Sequence, residues 1–185
     1  MKRIAIFASG SGTNTEVIIH HFKADTSGEV VLIVSNKVEN RVVSRAQNHN
    51  IPYHILDRVV FTEGRGLLDV LDKHKVTFIV LAGFMWLIPG YLTDTFQGRI
   101  INIHPALLPK YGGKGMYGMH VHRAVLEAKE VESGITIHHV NENYDEGQII
   151  FQATCQVHAS DTPESLAKKI HALEHEHYAN VIAGL

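Results

Sequence analysis

The chain has 185 residues, 45% of them hydrophobic and 19% charged, with a net charge of −2. That length suffices for one domain with a sizeable core, read here as a single unit, 1–185. No run of 18 apolar residues and no basic-then-apolar leader marks a membrane span or an export signal, and the near-neutral balance gives no broad field for nucleic acid. The only cysteine, Cys155, can form neither an internal disulfide nor a cysteine-based metal cluster, so it reads as core filler in a cytoplasmic protein.

The first apolar run, "RIAIFA" (3–8), leads into "SGSGTN" (9–14) and then a helix-like pattern. Small residues between a strand and a helix bring backbone N–H groups and a helix N-terminus to one point, which suits an anion. No Lys follows as a Walker A loop requires. A dinucleotide fingerprint fails too, because Thr15 stands at its third glycine and Ser35-Asn36 where its acid belongs. Two readings stay open at this point. Residues 10–14 cradle one terminal phosphate, with Thr13 and Asn14 adding side-chain donors, or they form a plain strand-to-helix turn with Asn14 as N-cap.

Further β-branched runs follow: "VVLIVS" (30–35), "PYHIL" (52–56), "FIVLAG" (78–83) and "RIINIH" (99–104), separated by amphipathic stretches of helical length. The alternation predicts an α/β fold with a mainly parallel, doubly wound sheet covered on both faces. At the end of the fifth run Asn102 and His104 lie two apart, so both side chains point to one side and Ile101 and Ile103 to the other. Pro105 and Pro109 take the chain out of the strand there, leaving the polar pair at a rim where open parallel sheets bind ligands. His104 is a candidate catalytic imidazole; standing alone it would read sooner as a satisfied core histidine, and the pairing with Asn102 at a strand end puts the two readings level.

The glycine-rich "YGGKGMYGM" (111–119) reads as a mobile loop. Its position next to the Asn102/His104 rim suggests a lid, with Met116, Tyr117 and Met119 as apolar cover; the alternative is an idle surface insertion. Beyond it, "GITIHHV" and "GQIIFQATCQV" flank the turn-like "NENYDEG", which predicts a late antiparallel hairpin. Thr136 and His138 share one face of its first strand. Asp145, in the turn, reads as turn chemistry or as the carboxylate that would keep an imidazole protonated. The last segment has Thr162 as N-cap, Pro163 at the first helical position and apolar residues at 166, 170, 173, 178, 181 and 182, which is a long amphipathic C-terminal helix.

Fourteen histidines raise a metal-binding module as an alternative, with His120 and His122, His138 and His139, or His171 and His175 as ligands. The pairs fall on separate elements and no HExxH occurs, so no metal is expected. Metal analysis after chelation tests this.

Taken together, "SGSGTN", "LAGFMWLIP", "INIHPALLPKY", "GMHVHRAVLEA", "SGITIHHVNENYDEGQII" and "LEHEHY", in this order and spacing, resemble the phosphoribosylglycinamide formyltransferase family of purine biosynthesis over essentially the whole chain. The resemblance implies a Rossmann-like formyltransferase fold, with the nucleotide at the first strand-helix loop and the folate against "AGFMWLIP". It implies catalysis by Asn102, His104 and Asp145, and contact with the substrate phosphate by Gly12, Thr13 and Asn14. Glu174 matches a family acid near the substrate. Met85, Trp86, Leu87, Ile88, Asn102, Val140, Asn143 and Asp145 match positions around the folate. The implied reaction moves the formyl group of 10-formyltetrahydrofolate, a cosubstrate, to the amine of glycinamide ribonucleotide, with no bound cofactor or metal. A protonated His104 and Asn102 would stabilise the tetrahedral oxyanion. Partners are then small molecules, without nucleic acid or membrane, and the protein a monomer or homodimer.

Departures from the family pattern are Trp86 where a basic residue is common, extra residues between Tyr111 and His120, and His171 in place of a frequent amide. Formyltetrahydrofolate deformylase would use the same Asn/His/Asp set with water as nucleophile. It usually carries an N-terminal regulatory domain, whereas the first strand here begins at residue 2. Methionyl-tRNA formyltransferase shares the central motif but has a C-terminal RNA-binding domain and a basic surface.

Overall fold

The computed structural model of the chain describes residues 1–64 and 66–185. Its strands are β1 (Lys2–Phe7), β2 (Gly28–Ser35), β3 (Tyr53–Ile55), β4 (Phe78–Leu81), β5 (Ile100–His104), β6 (Glu132–His139) and β7 (Ile149–Gln156). The helices are α1 (Thr13–Ala24), α2 (Arg41–Asn48), α3 (Arg58–Glu63), α4 (Leu67–Lys73), α5 (Gly90–Thr95), α6 (Met119–Glu127) and α7 (Pro163–Gly184). The strands form one sheet in the order β3-β2-β1-β4-β5-β6-β7, with β1 to β5 parallel and β6 antiparallel to both its neighbours.

The inner strands are mostly apolar because both faces are covered, with Asn102 and His104 of β5 as exceptions near its carboxyl end, and side-chain alternation sorts the apolar residues into two layers. Ile4, Ile6, Ile33, Val80, Ile101 and Ile103 face one layer with Ile18 of α1, Val42 of α2, Val125 of α6 and Ile170 of α7. Ala5, Phe7, Leu32, Ile79, Leu81 and Ile100 face the other, with Phe61 of α3, Leu71 of α4 and Leu92 of α5. This is the doubly wound sheet that the sequence predicts. The late hairpin is β6-β7, and β6 also closes against β5, setting Asn102 opposite His138 and His104 opposite Thr136.

α7 starts as expected. Thr162 accepts from the Ser165 backbone while Ser165 caps back, and Pro163 occupies the first turn. Its buried face carries Leu166, Ile170, Tyr178 and Ile182, and the Tyr178 hydroxyl donates to the Leu81 carbonyl oxygen at 2.8 Å. A buried phenol needs such a partner, and this one pins α7 to the end of β4. Strand boundaries shift slightly: β3 keeps three residues, and β4 stops at Leu81 because the chain turns away through Gly83 at φ 72.

The chain builds β1, β2 and β3 outward in one direction and then returns to β4 on the other side of β1. The loops after β1 and β4 therefore part, leaving a crevice at the carboxyl ends of the strands. No helix among the described residues is long and apolar enough to cross a membrane.

Candidate active site

One cavity of about 560 Å³ occupies that crevice. Gly12, Thr13, Asn14, Met85, Trp86, Leu87, Ile88, Asn102, His104, Val140, Asn143, Asp145 and Glu174 all line it, so the residues singled out from sequence converge on one space.

At one end lies the loop after β1. Gly12, at φ 69, is the N-cap of α1, which corrects the alternative in which Asn14 held that place. The first N–H groups of a helix have no intrahelical partner, and here they front the cavity with the positive end of the helix dipole behind them. Asn14 sits inside the first turn. Its Nδ2 donates to Glu174 Oε2 at 3.0 Å, so one amide hydrogen is committed to the protein, while its buried Oδ1 has no partner. Burial pushes the Glu174 carboxyl up from its ordinary value, against the Asn14 hydrogen bond and the His171 charge.

The loop is braced from behind. Arg45 Nε donates to the Ser11 carbonyl oxygen at 2.9 Å and its NH1 pairs with Glu16 Oε2 at 2.8 Å. Glu16 Oε1 receives His49 Nε2 at 2.7 Å and His20 Nε2 at 3.1 Å. Burial opposes the charge on Glu16, but His49 and Arg45 outweigh it and hold the carboxyl at about 2. Among the described residues, Glu16, His20 and His49 are the one trio with metal-ligand spacing. Arg45 on the second carboxylate oxygen, and Lys23 Nζ 2.8 Å from His49 Nδ1, surround that trio with positive charge, so it works as an ion-pair brace. The pairs His120/His122, His138/His139 and His171/His175 do not join it.

In the middle lie the polar residues of β5 and the turn after β6. His104 is 3% exposed, and its Nε2 lies 2.7 Å from the Tyr111 carbonyl oxygen. Nε2 therefore carries a hydrogen and donates it, which leaves Nδ1 as the nitrogen facing Asp145 Oδ2 at 3.4 Å. Asp145 holds φ 58 in the turn, and its Oδ2 also accepts from Gly113 N–H at 2.9 Å. Asn102 Nδ2 lies 3.2 Å from His138 Nε2 and 3.5 Å from Asp145 Oδ1. His138 Nδ1 donates to the His139 carbonyl oxygen at 2.8 Å, and its Nε2 also lies 3.6 Å from Asp145 Oδ1. Asn102 Nδ2 thus faces His138 and Asp145 at the edge of the cavity that Asn102 lines, with the 3.5 Å contact to Asp145 the weaker of the two.

The electrostatics bear on the expected charge of His104. Burial lowers the His104 pKa from its ordinary 6.5, aided by His138, and the opposing Asp145 charge and Tyr111 hydrogen bond do not restore it. Burial therefore disfavours a charge on His104, and the pull of Asp145 does not outweigh it. Burial works against the Asp145 charge as well, but His138, His104 and the Gly113 N–H keep its carboxyl below the ordinary value. Burial also drives His122, on α6 and lining the same cavity, down to about 4, with His171 and His104 adding to the effect.

At the far end Met85 to Ile88 leave β4 as an apolar wall, fixed by Met85 N–H donating to the buried Ser9 Oγ at 3.1 Å. Trp86 packs on Phe61 and Phe84 at centroid distances of 5.4 and 6.1 Å, and Arg58 stacks 5.4 Å from its ring. Lys114, Met116 and Tyr117 of the glycine-rich segment also line the cavity; Met119 instead begins α6. Thr136 does not reach the cavity. Its hydroxyl accepts from Leu108 N–H and donates to the Ala106 carbonyl, holding the turn after His104.

Sequence reasoning gave no role to Tyr111 or Arg45, and named His138 only as a metal-ligand alternative and as a polar neighbour of Thr136 that could meet the cavity. His138 had a signal, its alternation with Thr136 beside Asn102. Tyr111 acts through a backbone carbonyl and Arg45 through a brace across two helices, and neither leaves a pattern in one sequence.

A doubly wound sheet carrying an amide donor, an imidazole and a carboxylate at its switch point, between a helix-capped anion loop and an apolar wall, defines an α/β domain of the formyl transferase class. The profile of that family, described as formyl transferase, matches residues 2–182, and the chain belongs to it. Phosphoribosylglycinamide formyltransferase of Bacillus subtilis is 36% identical over 190 residues, covering 100% of this chain and 95% of that protein. The chloroplastic phosphoribosylglycinamide formyltransferase of Arabidopsis thaliana is 44% identical over 191 residues and covers 100% of this chain, which spans 65% of that relative's length. Glycinamide ribonucleotide transformylase 1 from Geobacillus kaustophilus superposes with a TM-score of 0.90 at 34% identity, over 99% of this chain and 97% of that one.

Proposed function

We propose that the chain transfers the formyl group of 10-formyltetrahydrofolate to the amine of glycinamide ribonucleotide in purine biosynthesis. The observation that carries this reading is the single cavity in which Asn102, His104 and Asp145 lie between the 10–14 loop and the Met85 to Ile88 wall, in a chain of the formyl transferase family. The loop and α1 N-terminus suit the ribonucleotide phosphate. The apolar wall suits the flat pterin, and both leave the amine and the formyl carbon near the polar trio.

The amine nitrogen bonds to the formyl carbon, and the carbonyl electron pair moves onto the formyl oxygen. Asn102 donates a hydrogen bond to that oxygen as charge develops. His104 enters neutral with Nδ1 unprotonated, since Nε2 holds the hydrogen given to Tyr111. The proton shed by the attacking nitrogen passes along the Asp145 carboxylate to Nδ1, and the imidazolium so formed stabilises the intermediate. Collapse restores the C=O bond and breaks the bond to N10 of the folate, which leaves with the proton from His104.

The test is to incubate the protein with 10-formyl-5,8-dideazafolate and either glycinamide ribonucleotide or buffer. Formyl transfer with the nucleotide supports the reading, whereas release of formate without it would make the protein a hydrolase. His104→Ala should lower kcat by on the order of 10²–10³ in a folded protein. Turnover near that of the parent chain would remove His104 from the mechanism.

A further inference from the structure

Tyr111 holds φ 56, a left-handed backbone that is costly for an aromatic L residue, although two glycines follow it directly. Such a conformation persists only where neighbouring contacts determine it, and Tyr111 is held at both ends. Its hydroxyl donates to Glu130 Oε1 at 2.8 Å, an oxygen that Lys110 Nζ also meets at 2.8 Å. Its carbonyl oxygen accepts from His104 Nε2 at 2.7 Å. Two residues on, Gly113 N–H reaches Asp145, and Gly112 between them is so close-packed that a Cβ would stand 2.5 Å from Leu108 and 3.2 Å from Asp145. One short segment therefore touches both His104 and Asp145 with its backbone, and its outer anchor is a side-chain bond to Glu130, in the connection between α6 and β6, outside the cavity.

We propose that Tyr111 is a positioning residue: its bond to Glu130 holds the 111 carbonyl against His104 Nε2 and so fixes the imidazole with Nδ1 toward Asp145 and the cavity. This rests on the reading of His104 as the group that handles the proton. Without the anchor, Tyr111 relaxes from its strained backbone, the carbonyl withdraws and the ring loses the bond that sets its tautomer. The titratable groups facing His104 are Asp145, His138 and His122; those facing Glu130 are Lys110 and Tyr111. The acceptor at Nε2 favours the protonated ring, so its loss moves the His104 titration further down.

The test uses the full chain with Tyr111→Phe, Glu130→Ala, Glu130→Gln and the Tyr111→Phe/Glu130→Ala pair, read by steady-state kinetics and by NMR titration of the His104 ring. Tyr111→Phe and Glu130→Ala should each lower kcat about tenfold, as expected for a displaced reacting group, with KM for both substrates little changed. The double variant should be no worse than either single one. Glu130→Gln keeps an acceptor oxygen and should recover most of the turnover. In both disabling variants His104 should titrate at lower pH than in the parent chain. An unmoved titration overturns the proposal, whether turnover is retained or falls together with melting temperature. If Tyr111→Phe does not fold, Glu130→Ala carries the same measurement. The titration needs no catalysis, so it separates this proposal from the catalytic reading, which fails instead if His104→Ala keeps its turnover.

Discussion

Two glycine-rich stretches line the cavity, and they use glycine for different reasons. In the first, Gly12 is packed: at φ 69, an added Cβ would lie 2.7 Å from Val42 Cγ2 and 3.1 Å from Val42 Cα. Arg45 holds the neighbouring Ser11 carbonyl, and Ser9 is buried. In the second, Gly113, Gly115 and Gly118 also have positive φ, yet a Cβ on any of them would meet nothing within 4 Å. There glycine supplies backbone conformation alone. A preformed anion cradle needs the first arrangement, because N–H groups must be fixed before the ligand arrives. A segment that covers a ligand after it binds needs the second, few contacts beyond its roots.

Substitutions at the two stretches should differ accordingly. Gly12→Ala adds overpacking to left-handed strain and should cost about 2–4 kcal/mol in urea unfolding. The displaced loop should raise KM for the nucleotide at least about tenfold, with KM for the folate nearly unchanged, since a lost charge-assisted hydrogen bond is of that size. Gly115→Ala meets open space and should cost roughly 1 kcal/mol from strain alone, with little effect on either KM. Equal kinetic effects at both positions would mean that the two stretches do not differ as their packing indicates.

The far root of the second stretch is α6, where His122 sits buried and neutral. Its folded pKa of about 4 lies below the ordinary 6.5, so between those values the unfolded chain binds a proton that the folded one does not. Stability then rises with pH across that window, and acidification from pH 7 to 4 removes on the order of 3 kcal/mol through this group. His122→Gln should flatten that part of the stability profile. Carboxylates with lowered pKa, such as Glu16 and Asp145, act at more acid pH and should be unaffected. An unchanged slope between pH 6.5 and 4.5 would show that His122 is not what anchors this side against acid.

Most of the fold was legible because inner strands buried on both faces are largely apolar, and α7 announces itself through Thr162 and Pro163. The site was legible where chemistry follows strand alternation, as with Asn102 and His104 on one face of β5. It was not legible where burial or the backbone decides. Nothing in the sequence says that His104 is buried enough for desolvation to oppose its charge, or that Asn14 gives an amide hydrogen to Glu174, 160 residues away. The Tyr111 carbonyl on His104 has no residue signature at all, because any residue has a carbonyl. Thr136 was placed on the correct face of β6, but its hydroxyl is taken by the turn after His104 before it can reach the cavity.

The smallest expected effect on stability concerns the open stretch itself. Shortening residues 114–118 removes a segment whose glycines are costly to order and whose loss changes loop-closure entropy only slightly, so the melting temperature should move by no more than about 2 °C. Function should respond more than stability. Met116 and Tyr117 line the cavity beside the polar trio, although Tyr117 is half exposed. If the stretch folds inward over bound substrates, those side chains exclude water from the formyl carbon while the amine attacks. The shortened protein should then transfer formyl a few-fold more slowly and release more formate per transfer, because water competes with the amine for the same electrophilic carbon. Parallel assays of formylated nucleotide and free formate give that ratio directly. An unchanged rate together with an unchanged ratio would leave the stretch without a part in the reaction, and the contrast with 10–14 would then be one of packing only.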